Sequence, residues 1–192
     1  HVKENAGGVV KAMIVTGAGG AFCAGGDVKA MNNRTARAPE GHKDMQKSHD
    51  RVYNLLNMPL PVISLIDGPA AGAGANLALA ADFVLMTPKS FIMQAFARIG
   101  LVPDWGGFYI LPRLVGLQRA KDLVLTAREL SAEDAREYGL VLEVLAGDEL
   151  LGHAQNYAAK FANASPDAIG IAKRVMGSAR ETDRTTALAA EA

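Results

Sequence analysis

The feature that most narrows the possible folds is an arrangement that occurs twice: a short apolar strand, a glycine-rich loop, then a helix. Val10 to Thr16 (VKAMIVT) has the β-branched, apolar character of a buried strand and is ended by Gly17. It opens into Gly17 to Gly26 (GAGGAFCAGG), and Asp27 is placed to cap a short helix after it. Val62 to Ile66 (VISLI) is a second such strand, with Gly68 to Gly74 (GPAAGAG) as its loop and Ala75 to Ala81 (ANLALAA) as an apolar helix behind. Loops of this composition make tight strand–helix turns. They can also aim backbone N–H groups at one point, where any side chain would block the approach of a bound group.

The rest of the chain extends the alternation. Asn32 to Lys43 is polar, contains Pro39 and Gly41, and is expected to be a surface loop. Asp44 to Met58 carries apolar residues at Met45, Val52, Leu55 and Leu56, which predicts an amphipathic helix stopped by Pro59 and Pro61. Phe83 to Met86 and Phe91 to Met93 are two further strands, so the class is α/β. From Gly106 onward the pattern turns helical. Ser131 to Asp134 resembles a capping box with Asp in place of Glu or Gln, and Gly139 is placed as a stop. Leu140 to Leu145 is expected as a strand, and Asp148 to Ala164 and Pro166 to Arg180 as helices. A chain of 192 residues, 49% of them hydrophobic, fits one domain or a domain with a small appendage.

Several function classes fall away on charge and motif. Lys+Arg and Asp+Glu are both 20, which argues against a nucleic-acid groove or a membrane-surface helix, since each needs a basic excess. No apolar run reaches the length of a membrane span, and no secretory leader is evident, although the chain opens at His1. Cys23 is the one cysteine, so no intrachain disulfide forms, which suits a reducing cytoplasm. His1, His42, His49 and His153 form no ligand pair, so no metal site is expected, and His49 is expected to face solvent. A dinucleotide fingerprint fails at Phe22 and Leu77, where a third glycine would stand. Neither a phosphate-binding G-x-x-x-x-G-K-[ST] nor a G-x-S-x-G nucleophile elbow occurs.

Four co-linear segments resemble the enoyl-CoA hydratase/isomerase (crotonase) superfamily. They are Lys11 to Lys29 (KAMIVTGAGGAFCAGGDVK), Ile66 to Asp82 (IDGPAAGAGANLALAAD), Ile99 to Gly116 (IGLVPDWGGFYILPRLVG) and Ser131 to Leu140 (SAEDAREYGL). The resemblance covers nearly the whole chain. It implies a spiral of β-β-α units over residues 1–115 and a helical oligomerisation region over residues 116–192, with homotrimers or hexamers as the usual assembly. It further implies strands before the first segment and a last helix after the present C-terminus. By position, the oxyanion-hole N–H groups are implied at Gly26 and Ala73, and contacts to substrate or CoA at Ala24, Gly25, Asp27, Val28, Gly72, Asn76, Phe96 and Trp105. The partner is an acyl-CoA thioester, with no cofactor beyond the CoA that the substrate brings. Lys29 is as consistent with a solvated lysine as with a phosphate contact, and Trp105 with pocket wall or core.

The resemblance also bears on the reaction. The two glutamates of the family's hydratases align with Asn76 and Phe96, neither of which is a base, while the family's alternative acidic position holds Asp104. That pattern is similar to the ring-epoxide isomerase of phenylacetyl-CoA degradation and to 3-enoyl/2-enoyl-CoA isomerases. The dehalogenase branch recruits a separate histidine, and no matching one is evident in the sequence. Hydration calls for one group to activate water and another to manage the α-proton, whereas a double-bond shift needs one shuttle base, so a lone carboxylate favours isomerisation. An Asp with an ordinary pKa of about 3.9 is a weak base, and apolar neighbours such as Val102, Trp105 and Phe96 are expected to raise it. Taken alone, Pro-Asp-x-Gly-Gly is ordinary turn chemistry. Loss of both glutamates keeps open a hydratase of low activity and a non-catalytic acyl-CoA-binding member. A serine protease on the same spiral lacks its nucleophile motif.

Overall fold

The computed structural model describes residues 10–27 and 38–190. Two small sheets form its centre. The first is wholly parallel, in the order β1 (Met13–Thr16), β2 (Val62–Ile66), β4 (Phe83–Met86), β7 (Glu143–Val144). The second runs β3 (Pro69–Ala71), β5 (Phe91–Met93), β6 (Glu129–Ser131), with β3 parallel and β6 antiparallel to β5. The helices are α1 (Ala38–Leu56), α2 (Ala73–Leu79), α3 (Gly107–Thr126), α4 (Ala132–Glu137), α5 (Gly147–Ala159), α6 (Pro166–Ala179) and α7 (Arg184–Ala189), with a 3₁₀ helix at Ala95–Ile99. Among the described residues no helix is long and apolar enough to cross a membrane.

All five residues of β2 are buried, as a parallel strand covered on both faces requires. Side chains alternate across it. Ile63 and Leu65 join Leu85 and, from α5, Leu150 and Ala154, while Ile66 joins Met86, Ala75, Leu79 and Leu111 on the other face. Each fully buried Ile or Leu of this core contributes roughly 1.5–3 kcal/mol.

Local chemistry sets the helix ends. Ser131 accepts the Asp134 N–H (3.1 Å), so α4 starts as the capping-box pattern predicts, and Gly139 follows its end with φ 76°. Ser165 caps α6 with Pro166 in the first turn. Gly116 (φ 78°, ψ 162°) kinks α3. Lys173 fixes α6 to the first sheet: its Nζ donates to Asp82 Oδ2 (2.6 Å) and to the Leu60 carbonyl (2.9 Å).

Several expected elements differ. The first strand is confined to Met13–Thr16, and the strand expected over 140–145 to Glu143–Val144. The helix expected to start at Asp44 starts at Ala38, because Pro39 in a first turn lacks only an N–H that would have no helical partner. Residues 38–43 of the expected surface loop are therefore helical. The remainder of that loop, and the short helix expected after Asp27, lie outside the described residues. The loop Gly68 to Gly74 contains a strand, β3, because its backbone pairs with Met93 on one side and bridges Cys23 on the other. The strand Glu129–Ser131 and the helix Arg184–Ala189, which Asp183 caps, were not expected from the sequence.

Candidate active site

The two glycine loops are joined through their backbones. The N–H groups of Phe22 and Cys23 donate to the Pro69 carbonyl (3.0 and 3.2 Å), and the Ala71 N–H donates back to Cys23 (2.9 Å). Gly68 has φ 92°, and a Cβ there would collide with the Gly20 carbonyl, so a side chain fits neither the backbone angle nor the space. Gly25 has φ 93°, and its Cβ would lie 2.9 Å from the Ala71 carbonyl oxygen and 3.4 Å from the Ala73 nitrogen. The first loop thus lies directly against the start of α2. Gly72 precedes that helix and donates its N–H to Met93 (2.9 Å). The next donor along the chain is the Ala73 N–H, which, as the first of α2, has no partner within the helix. Ala24, Gly26 and Asp27, in the same loop as Gly25, are exposed. Phe96, buried in the 3₁₀ helix, has its ring 3.8 Å from where a Gly72 Cβ would be. Val28 and Lys29 lie outside the described residues.

The Asn76 side chain ties Asp104 to the loop side. Asn76, one turn into α2 and 1% exposed, donates through Nδ2 to the Asp104 carbonyl (2.7 Å), while its Oδ1 accepts from Gln94 (2.9 Å). The same Asp104 carbonyl accepts the Gly107 N–H (2.9 Å), and Gly107 has no room for a side chain because a Cβ would strike the Asn76 amide. Trp105 (φ 48°) and Gly106 (φ 76°) complete the turn in left-handed backbone, a conformation that costs a tryptophan energy and therefore depends on the packing around it. Trp105 is partly buried against the main core. The Asp104 carboxyl projects from this turn with Oδ1 buried and without a hydrogen-bond partner among the described residues. Burial pushes its pKa above the ordinary carboxylate value, outweighing the opposing pull of its own backbone N–H and of the His49 charge. Val102, expected to add to that burial, is 69% exposed.

Asp104 lines a cavity of about 850 Å³ between α1, the Pro103–Tyr109 turn and α6. His49, Val52, Tyr53 and Leu56 line it from α1, and Lys173, Arg174 and Gly177 from α6. Three carboxylates reach this cavity. Asp82 is held by Lys173 and by the Val62 N–H (2.7 Å), and Glu181 pairs with Arg113 (3.3 Å) and bonds the Tyr109 hydroxyl. Asp104 is the one of the three without a salt bridge among the described residues.

Of the residues expected at the site, Asp104 lines this cavity. Gly25, Gly72, Ala73 and Phe96 gather on the loop side, and Asn76 links the two groups. The sequence reading missed the walls contributed by α1 and α6. Positions 49, 52, 53 and 56 share one helical face, and that periodicity was the available signal.

The chain is matched by known proteins. The profile of the enoyl-CoA hydratase/isomerase family matches residues 4–192. The chain belongs to the enoyl-CoA hydratase/isomerase family. It is 38% identical over 185 residues to the 1,2-epoxyphenylacetyl-CoA isomerase of Escherichia coli K12, covering 93% of this chain and 69% of that protein. The crystal structure of an enoyl-CoA hydratase/isomerase from Cupriavidus metallidurans CH34 superposes with a TM-score of 0.87 at 38% identity, over 94% of this chain and 68% of that one. An enoyl-CoA hydratase structure from Bacillus anthracis gives 0.90 at 32% identity, over 99% and 74% of the two chains. The α/β crotonase-like fold read from the four segments is therefore the fold of this acyl-CoA enzyme, and the resemblance to the epoxide-isomerase type is borne out by the Escherichia coli relative.

Proposed function

We propose that this member of the family shifts a double bond in an enoyl-CoA thioester, with Asp104 as its single carboxylate base. The Gly26 and Ala73 N–H groups receive the thioester oxygen. Asp104 removes a proton from C2 of a 3-enoyl thioester, giving a dienolate whose charge rests on that oxygen, and the same carboxyl returns a proton at C4. Each oxyanion donor contributes roughly 2.7–4 kcal/mol toward the dienolate, on the scale of donors in other enzymes. Ala24, Gly25 and Asp27 border the path of CoA, Gly72 allows its close approach, and Phe96 and Trp105 supply apolar wall. Asn76 acts by holding the Asp104 turn. The chemistry asks for no cofactor beyond the CoA of the substrate.

The observation that carries this reading is the state of the cavity carboxylates. Asp82 and Glu181 are committed to Lys173 and Arg113, leaving Asp104 with a raised pKa and a buried oxygen that has no hydrogen-bond partner among the described residues, as a proton shuttle needs. The aligned glutamate positions hold Asn76 and Phe96, both buried. Similarity to the Escherichia coli isomerase supports a ring-bearing thioester as an alternative substrate. Hydration is the second reading, favoured by the likeness to the Bacillus anthracis hydratase. Exposed Phe108, Leu117 and Leu125 on α3 support assembly into a homotrimer or a dimer of trimers, and the single cysteine supports a cytoplasmic setting.

The test is a two-channel assay. Conjugation of a 3-enoyl-CoA is followed by the ultraviolet absorbance of the 2-enoyl thioester, and hydration by loss of that absorbance from crotonyl-CoA. Conjugation without hydration is expected. Hydration as the dominant channel would overturn the one-base reading.

A further inference from the structure

We propose that His49 is the charge partner of Asp104, a positioning residue that keeps the base ionised in its half-buried site. The proposal rests on the reading of Asp104 as base. His49, Val52, Tyr53 and Leu56 stand at i, i+3, i+4 and i+7 on α1, so one helical face turns toward the cavity. Val52, one turn on from His49, is packed against the Asp104 turn: a Cβ on Gly106 would lie 3.0 Å from Val52 Cγ1. That contact fixes the register of α1 and places the imidazole on the wall that Asp104 also lines.

The other titratable and charged groups around the cavity are Tyr53 on α1, Asp82 after α2, Tyr109 on α3, Lys173 and Arg174 on α6, and Glu181 beyond it. Lys173 is bound to Asp82 and the Leu60 carbonyl, and Glu181 to Arg113 and Tyr109, so those charges are largely answered in place. Arg174 lines the cavity from α6. Among the described residues, His49 is the side chain whose positive charge, when it carries one, favours the ionised form of Asp104. A carboxylate stripped of water becomes protonated unless a positive charge offsets the loss. His49 is placed to meet that need from an exposed position on the cavity wall.

Asp104 can be followed without turnover, by ¹³C NMR of its carboxyl, assigned from the resonance lost in Asp104→Asn. In His49→Gln the midpoint of that titration is expected to rise by on the order of half a pH unit, below the shift an opposite charge gives at contact distance. The acid limb of kcat/KM should rise by the same amount, and high salt should move the wild type toward the variant. An unchanged carboxyl midpoint in His49→Gln would overturn the proposal. A midpoint that moves while the acid limb stays put would uphold the pairing and refute Asp104 as the base.

Discussion

The loop side and the cavity side of this site are built by different means. On the loop side the contacts are backbone to backbone, Phe22 and Cys23 to Pro69 and Ala71 to Cys23, with Gly25 and Gly68 closing gaps that no side chain fits. On the cavity side they run between side chains brought from far apart, Lys173 to Asp82 across 91 residues and Arg113 to Glu181 across 68. Backbone geometry admits one arrangement and tolerates few substitutions. Side-chain pairs can be exchanged one at a time, so the cavity side can change while the loop side stays constant.

The sharpest way to break this contrast is Gly68→Ala. The new methyl would collide with the Gly20 carbonyl, and alanine would be forced to φ 92°. A loss of about 3 kcal/mol or more is expected in chemical denaturation. A loss under about 0.5 kcal/mol would mean that the loop side yields as readily as the cavity side.

A smaller effect is expected from Lys173→Met. Fully buried pairs lose roughly 3–5 kcal/mol when broken. The Asp82 side chain is 24% exposed, so about 2 kcal/mol is expected at neutral pH. Burial raises the Asp82 pKa, and Lys173 opposes that rise. A raised carboxyl favours the folded state below its unfolded pKa, and this contribution is lost as pH rises through the folded value. Removing Lys173 lifts the folded value further, so the deficit of the variant should be full at neutral pH and shrink as pH falls through the carboxylate range. Denaturation curves at neutral and acid pH measure it, and a deficit that grows in acid would contradict the assignment.

The same division decides what the sequence made legible. The bounds of β2, β4 and β5 follow from short apolar runs flanked by glycine, proline or polar residues, and the start of α4 from Ser131. The loop side was legible because its requirement is the absence of side chains, which a sequence displays directly. Strand β3 was hidden because Pro69, Ala70 and Ala71 have no strand character of their own and are extended only by their partners. Asp104 stood out through its place in a matched segment. Its neighbours on α1 and α6 did not, because their approach is tertiary. His49 is exposed, as its position suggested, and still lines the cavity.

The central claim is that Asp104 carries the proton, and Asp104→Asn tests it most directly. The substitution removes the base while leaving the backbone carbonyl that Asn76 and Gly107 hold. The variant should fold with unchanged or slightly higher stability and lose on the order of 10²–10⁴ in kcat on the preferred thioester. A folded Asp104→Asn enzyme within about twofold of the wild-type rate would contradict the assignment of Asp104 as the base.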